Sequence, residues 1–150
     1  MDKRSIGEHV AANEQGRYVL RRYHMQVISE LVRKLDEAIS KKDIESTLAI
    51  YSENSVVVKL PGQEARGIDQ IRTHYEALYS MNIPMTVRTE SLSMVQIDNL
   101  VLATSNWILE GVDPEGNTGS VRKVASMLFA KDGSDNWHLL IDNPFGPELG

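Results

Sequence analysis

From about Gln15 to Lys41, apolar residues recur at three- and four-residue steps: Leu20, Tyr23, Val27, Leu31, Leu35 and Ile39, with Arg, Glu and Lys between them. That spacing is one face of an α-helix. Neither Gly nor Pro interrupts Arg17 to Lys42, so the helix is read as either continuous or broken near Tyr23-His24. Residues 1 to about 14 are polar and weakly patterned, a loose lead-in or a short helical turn. Asp43 is an N-cap by its side-chain acceptor and opens a second helix that presents Ile44, Leu48 and Tyr51, ending around Ser52-Asn54. Val56, Val57 and Val58 make a short covered strand, stopped by Pro61-Gly62. Gly67 opens a third helix, with Ile68, Ile71, Tyr75, Leu78 and Tyr79 on one face, and Asn82 and Pro84 end it.

The remainder alternates as β. Residues 85–97 form a long strand whose apolar parity slips near Ser91-Leu92, as a β-bulge in a bent strand requires. Asp98-Asn99 make a two-residue hairpin turn, since both residues tolerate positive φ. Strands at 100–111, 120–131 and 136–143 follow, separated by Asp113–Asn117 and Asp132–Asp135 and closed by Pro144. The predicted order is α-α-β-α-β-β-β-β, an α+β domain with a strongly curved mixed sheet. Its organisation is an N-terminal extension at 1–23 and the domain itself at 24–150.

Composition narrows the function classes. At 150 residues the chain fits one domain, and 41% hydrophobic with 25% charged residues is ordinary for a globular protein. The net charge of −5, with basic residues dispersed apart from Arg17, Arg21 and Arg22, argues against a nucleic-acid partner. With no cysteine there is neither a disulfide nor a thiol nucleophile. No apolar run approaches the roughly 20 residues of a membrane span, and the N-terminus has no signal-peptide core, so no membrane partner and a cytoplasmic location are expected. His9, His24, His74 and His138 have no metal-motif spacing. GxSxG, GxGxxG and Walker patterns are absent. No metal and no cofactor are expected.

The Asp43-led helix, YSENSVVV, the Arg66-Gly67 start of the third helix and the strand-turn-strand MLFAKDGSDNWHLLIDN resemble the nuclear-transport-factor-like superfamily. This is the cystatin-like cone of ketosteroid isomerase and SnoaL-like cyclases, and the resemblance covers about residues 24–145. KLPGQEARG and WHLLIDNPFG look closest to a bacterial SnoaL-like branch. The resemblance implies a homodimer through the sheet and a pocket between helices and sheet for a small apolar or carbonyl-containing molecule. The scaffold serves enzymes, binding modules and dimerisation modules alike. Ketosteroid isomerase uses an Asp base, a Tyr and a protonated Asp; their positions fall here on Lys59, Leu35 and Ala125, so that constellation is replaced.

The implied concave face selects the pocket candidates by strand parity. Val57 and Lys59 share a face of the first strand, and Lys59 either enters the pocket or snorkels to solvent. Arg122 and Ser126 share a face, with Arg122 meeting an acidic ligand or a cross-strand carboxylate such as Asp142. Ile141 and Asn143 follow the parity of Trp137, placing Asn143 at the pocket mouth, or Asn143 is part of a strand stop. Asp142 then falls on the sheet surface. Tyr51, Tyr75 and Trp107 are core or pocket wall. An isomerase, cyclase or hydro-lyase would need a desolvated acid-base pair within hydrogen-bond reach deep in that pocket. A ligand-binding or dimerisation module would not.

Overall fold

The computed structural model describes residues 3–149. Helix α1 (Lys3–Lys41) begins well before Gln15 and passes Tyr23-His24 without a break. Leu20 and Tyr23, the first two positions of the apolar stripe, are exposed; the packed face begins at His24 and continues through Ile28, Val32 and Leu35. The reason is where the helix meets the sheet. α1 runs antiparallel to strand β3 (Met85–Ile97) and is tied to it at three levels. The Val87 amide donates to Ser40 Oγ at 2.9 Å, the Thr89 amide donates to Asp36 Oδ2 at 2.7 Å, and Gln96 Nε2 lies 2.7 Å from His24 Nδ1. Gln96 is the last but one residue of β3, so the helix before His24 extends past the sheet.

Asp43 caps α2 (Ile44–Leu48), accepting from the Ser46 amide. This helix is shorter than its periodicity implies. Tyr51 belongs to strand β1 (Tyr51–Leu60), not to a helix face, because the Ile50 carbonyl already accepts from the Leu139 amide of β6 (Trp137–Asn143) at 2.9 Å. Ser55 Oγ closes the irregular start of β1, accepting from the Ser52 amide at 2.8 Å and donating to the Leu139 carbonyl at 2.6 Å. A strand absent from the predicted order, β2 (Gln63–Arg66), forms a hairpin with β1 around Pro61-Gly62. Only Ala65 of its four residues is buried, so it carries almost no hydrophobic signature. Helix α3 (Ile68–Ser80) buries Ile71 and Tyr75.

β4 (Leu100–Val112), β5 (Thr118–Lys131) and the other strands form one six-stranded sheet in the order β2-β1-β6-β5-β4-β3. β1 and β6 are parallel and the remaining neighbours are antiparallel. The Asp98-Asn99 turn forms as expected, with Ile97 paired to Leu100 and Asp98 at φ 48°. The β3 bulge lies between Thr89 and Ser91. A second bulge, in β6, has larger consequences. Leu128 and Phe129 of β5 face Ile141 and Leu139, leaving Leu140 as an extra residue. The helices cover the inner face, where Ile28, Ile71, Phe129 and Leu139 form the centre of the core.

After β6 the chain turns back onto β5. Gly146 sits at φ 71°, and a Cβ there would lie 3.2 Å from the Val124 carbonyl oxygen. Gly146→Ala is expected to lower unfolding free energy by about 1–3 kcal/mol, read by urea denaturation. An unchanged midpoint would show that this turn yields freely.

Candidate functional site

A cavity of about 230 Å³ lies between the helices and the inner face. Larger depressions of about 560 Å³ beside Pro84 and Gly111 and about 500 Å³ between α1 and β3 are more open. Apolar side chains dominate the cavity wall, among them Leu35, Val57, Leu78, Trp107 and Met127. Four titratable groups interrupt it: Asp36 from α1, His74 and Tyr75 from α3, and Asp142 from β6.

Asp142 reaches the wall because of the β6 bulge. Trp137 and Leu139 point inward; uniform alternation would then point Ile141 and Asn143 inward as well. The extra Leu140 inverts the parity, so Asp142 lies beside inward Val57 and Met127, while Ile141 lies beside Val56 and Leu128 on the other face. Asp142 is 7% exposed and Ile141 is 40% exposed. Tyr51 Oη donates to Asp142 Oδ2 at 2.7 Å. Since a phenol has one proton, Tyr75 Oη, 2.7 Å from Tyr51 Oη, is the donor in that second bond. The result is a relay, Tyr75 to Tyr51 to Asp142. Among the described residues nothing bonds to Asp142 Oδ1, which leaves that atom for a ligand.

Burial raises the Asp142 carboxyl to about 6; the Tyr51 hydrogen bond opposes the shift and the charge of Asp36 adds to it. Asp36 is also raised, chiefly by burial, against the hydrogen bond from Thr89. Burial and then the Asp142 charge push Tyr51 and Tyr75 well above the usual phenol range, so both stay neutral donors. His74 is lowered by burial and then by the positive charge of Lys59. Among the described residues the indole nitrogen of Trp107, Nε1, is buried without a partner.

The nine candidate residues separate cleanly. Val57, Tyr75 and Trp107 line the cavity, and Tyr51 stands behind the wall, touching it through Asp142 and Tyr75. Lys59 is exposed, at the irregular end of the β1–β2 pairing, outside the cavity. Arg122 lies on the outer face, cross-strand from Ile108 and 3.2 Å from Glu90. Ser126 shares that face and donates to the Gly146 carbonyl at 2.6 Å. Ile141 is outside by the bulge. Asn143 is buried but lines nothing; its Oδ1 accepts from the Phe145 amide at 3.0 Å, and its Nδ2 donates to the Gly146 and Glu148 carbonyls at 2.8 and 3.1 Å. It holds the Pro144-Phe145 turn, and Pro144 does line the cavity. Asp36 and Asp142 are the residues sequence reasoning missed.

A model of the SnoaL-like domain family matches residues 32–134. Among solved structures, an NTF2-like superfamily protein from Salmonella enterica serovar Typhimurium is 21% identical, with 81% of this chain and 89% of that one covered, at a TM-score of 0.67. An NTF2-like protein with a cystatin-like fold from Novosphingobium aromaticivorans is 13% identical over 93% and 91% of the two chains, at 0.76. The association domain of CaMKII from C. elegans is 15% identical over 81% and 95%, at 0.65. At these identities the likeness shows the fold alone. The comparison with curated proteins finds no match.

A carboxyl at about 6 when folded and near 3.8 when unfolded holds an extra proton in the folded state between those values. Stability therefore falls as pH rises from about 4 to about 6 and is level above that, the loss amounting to roughly 3 kcal/mol. Asp142→Asn, which keeps an acceptor for Tyr51, is expected to be more stable than wild type at pH 8 by up to that amount. It should also flatten the profile between pH 4 and 6. Chemical denaturation across that range checks it; a variant weaker than wild type at pH 8 contradicts the assignment.

Proposed function

The chain belongs to the SnoaL-like domain family, and we propose that its cavity binds a small apolar carbonyl compound and performs cofactor-free acid-base chemistry on it. The observation that carries this reading is the buried Asp142 carboxyl on the cavity wall, held by Tyr51 at 2.7 Å through Oδ2, with Oδ1 unbonded among the described residues. A base is effective when its pKa lies near working pH, and burial has brought this one to about 6. Ionised Asp142 removes a proton from the carbon beside the carbonyl, and the C–H electrons pass into the enolate. Returning the proton to a different carbon is an isomerisation. Where the substrate carries a β-hydroxyl, the protonated carboxyl gives its proton to that oxygen and water leaves.

Tyr51 and Tyr75 hold the carboxylate in place and stabilise its charged form. Asp36 acts on Asp142 through charge. The apolar walls keep water from the enolate. None of these roles falls on the three positions that ketosteroid isomerase would use, because Leu35 and Ala125 are plain wall and Lys59 is outside.

α-Proton exchange of acetophenone and cyclohexanone in deuterium oxide, followed by NMR, tests the chemistry without a known product. Exchange above the buffer rate is expected, rising through pH about 6 and lost in Asp142→Asn. Tyr51→Phe removes the bond favouring the carboxylate, so its rising limb should move to higher pH. Exchange that survives Asp142→Asn undiminished would remove the carboxyl from the mechanism.

A homodimer through the outer face of the sheet is the second part of the proposal. Val95 and Leu102 are cross-strand neighbours there, 70% and 55% exposed, with Ile97 and Leu100 beside them. A contiguous apolar patch of this kind marks an interface. Leu102→Glu is expected to convert a dimer to a monomer in sedimentation velocity at micromolar concentration. A wild-type monomer, or a dimer indifferent to Leu102→Glu, excludes this face.

A further inference from the structure

Lys123 is unlike the other paired cations of the sheet. It stands cross-strand from Trp107 and so faces inward, one alternation from the cavity-lining Ala125. Its ammonium lies 5.8 Å from the Trp107 ring centroid and 5.3 Å from that of Phe145. Arg122, Lys131 and Arg88 each find a carboxylate; among the described residues Lys123 finds none. Two ring faces hold the cation electrostatically but accept none of its three ammonium hydrogens in ordinary hydrogen bonds.

Lys123 does not itself line the cavity, but both rings it lies over are tied to the lining. Trp107 lines the cavity and stacks with Lys123; Pro144 lines it and the next residue stacks with Lys123. The turn that delivers Phe145 is pinned by Asn143 and by Ser126. A ligand group that extends past Trp107 and Pro144 toward Phe145 would meet a positioned cation that has no carboxylate among the described residues.

We infer that Lys123 is a specificity-determining residue, receiving the carboxylate of a keto acid whose apolar body and carbonyl occupy the cavity. The assignment rests on the acid-base reading of Asp142 and deepens it by naming the substrate class. Asp36 and Asp142 repel an anionic end from the interior, whereas Lys123 attracts it at the edge, so a keto acid enters in one orientation. The carbon beside its carbonyl is then presented to Asp142 Oδ1.

The probes are 3-benzoylpropionate and its primary amide, of equal length but different charge. Calorimetry or NMR titration on wild type, Lys123→Met and Lys123→Arg gives the dissociation constants. The acid is expected to bind wild type at least tenfold more tightly than the amide, to lose that advantage in Lys123→Met, and to recover most of it in Lys123→Arg. The amide should bind all three alike, which also shows that the variants are folded. Equal binding of acid and amide to wild type, or an acid affinity unmoved by Lys123→Met, overturns the assignment. In that case amide exchange that still depends on Asp142 leaves the acid-base reading standing. If wild type binds neither probe, both readings fall.

Discussion

Leu140 has no partner on β5, and that one extra residue turns Asp142 from the outer face of the sheet to the inner one. A bulge leaves a backbone group out of the ladder and bends the strand. Here it does so where β6 runs between β1 and β5, in the middle of the sheet. Without it the cavity would present Ile141, and Asp142 would be a solvated surface carboxylate. The relay through Tyr51 and Tyr75 depends on the same residue, because Tyr51 lies opposite Leu139, before the bulge, and must reach a carboxyl after it.

Placing a carboxyl against Val57 and Met127 opposes folding, since burial penalises its charged form. The Tyr51 hydrogen bond offsets part of that penalty and the proximity of Asp36 increases it. The structure tolerates the arrangement because its stability comes from elsewhere. Phe129, Leu139, Ile28 and Ile71 are completely buried, and none of them lines the cavity. A site kept at some expense of stability is where function is most often found.

The features legible in the sequence were those set by local chemistry. Asp43 caps, Asp98-Asn99 turn and the β3 parity slip follow from side-chain acceptors, tolerance of positive φ and strict alternation. β2 was not legible because its pairing is almost wholly backbone. The bulge in β6 was hidden by composition: Leu139, Leu140 and Ile141 are all apolar, so a one-residue slip leaves no visible break in alternation. In β3 the interleaved Thr and Ser exposed the same kind of slip. Asp36 follows Leu35 and precedes Ile39 on α1, at the margin of the apolar stripe, and there periodicity cannot separate a carboxylate aimed at the cavity from a solvated flank. Lys59 takes the solvent-facing of its two alternatives for a related reason. Its parity with Val57 is cancelled by the irregular pairing at the end of β1.

Taken together, the charges give the cavity a direction. Carboxyl groups lie along its wall at Asp36 and Asp142, and the Lys123 ammonium lies over the ring of the wall residue Trp107. In a poorly solvated space such a gradient acts on a bound molecule more strongly than it would in water. Under the proposed acid-base function, a neutral ketone would experience mainly the apolar walls, which do not distinguish one orientation from another. A ligand with one negative end experiences the gradient along its whole length. Orientation of the reacting carbon can then come from a group several bonds away from it, a use of remote binding energy that raises turnover rather than affinity alone.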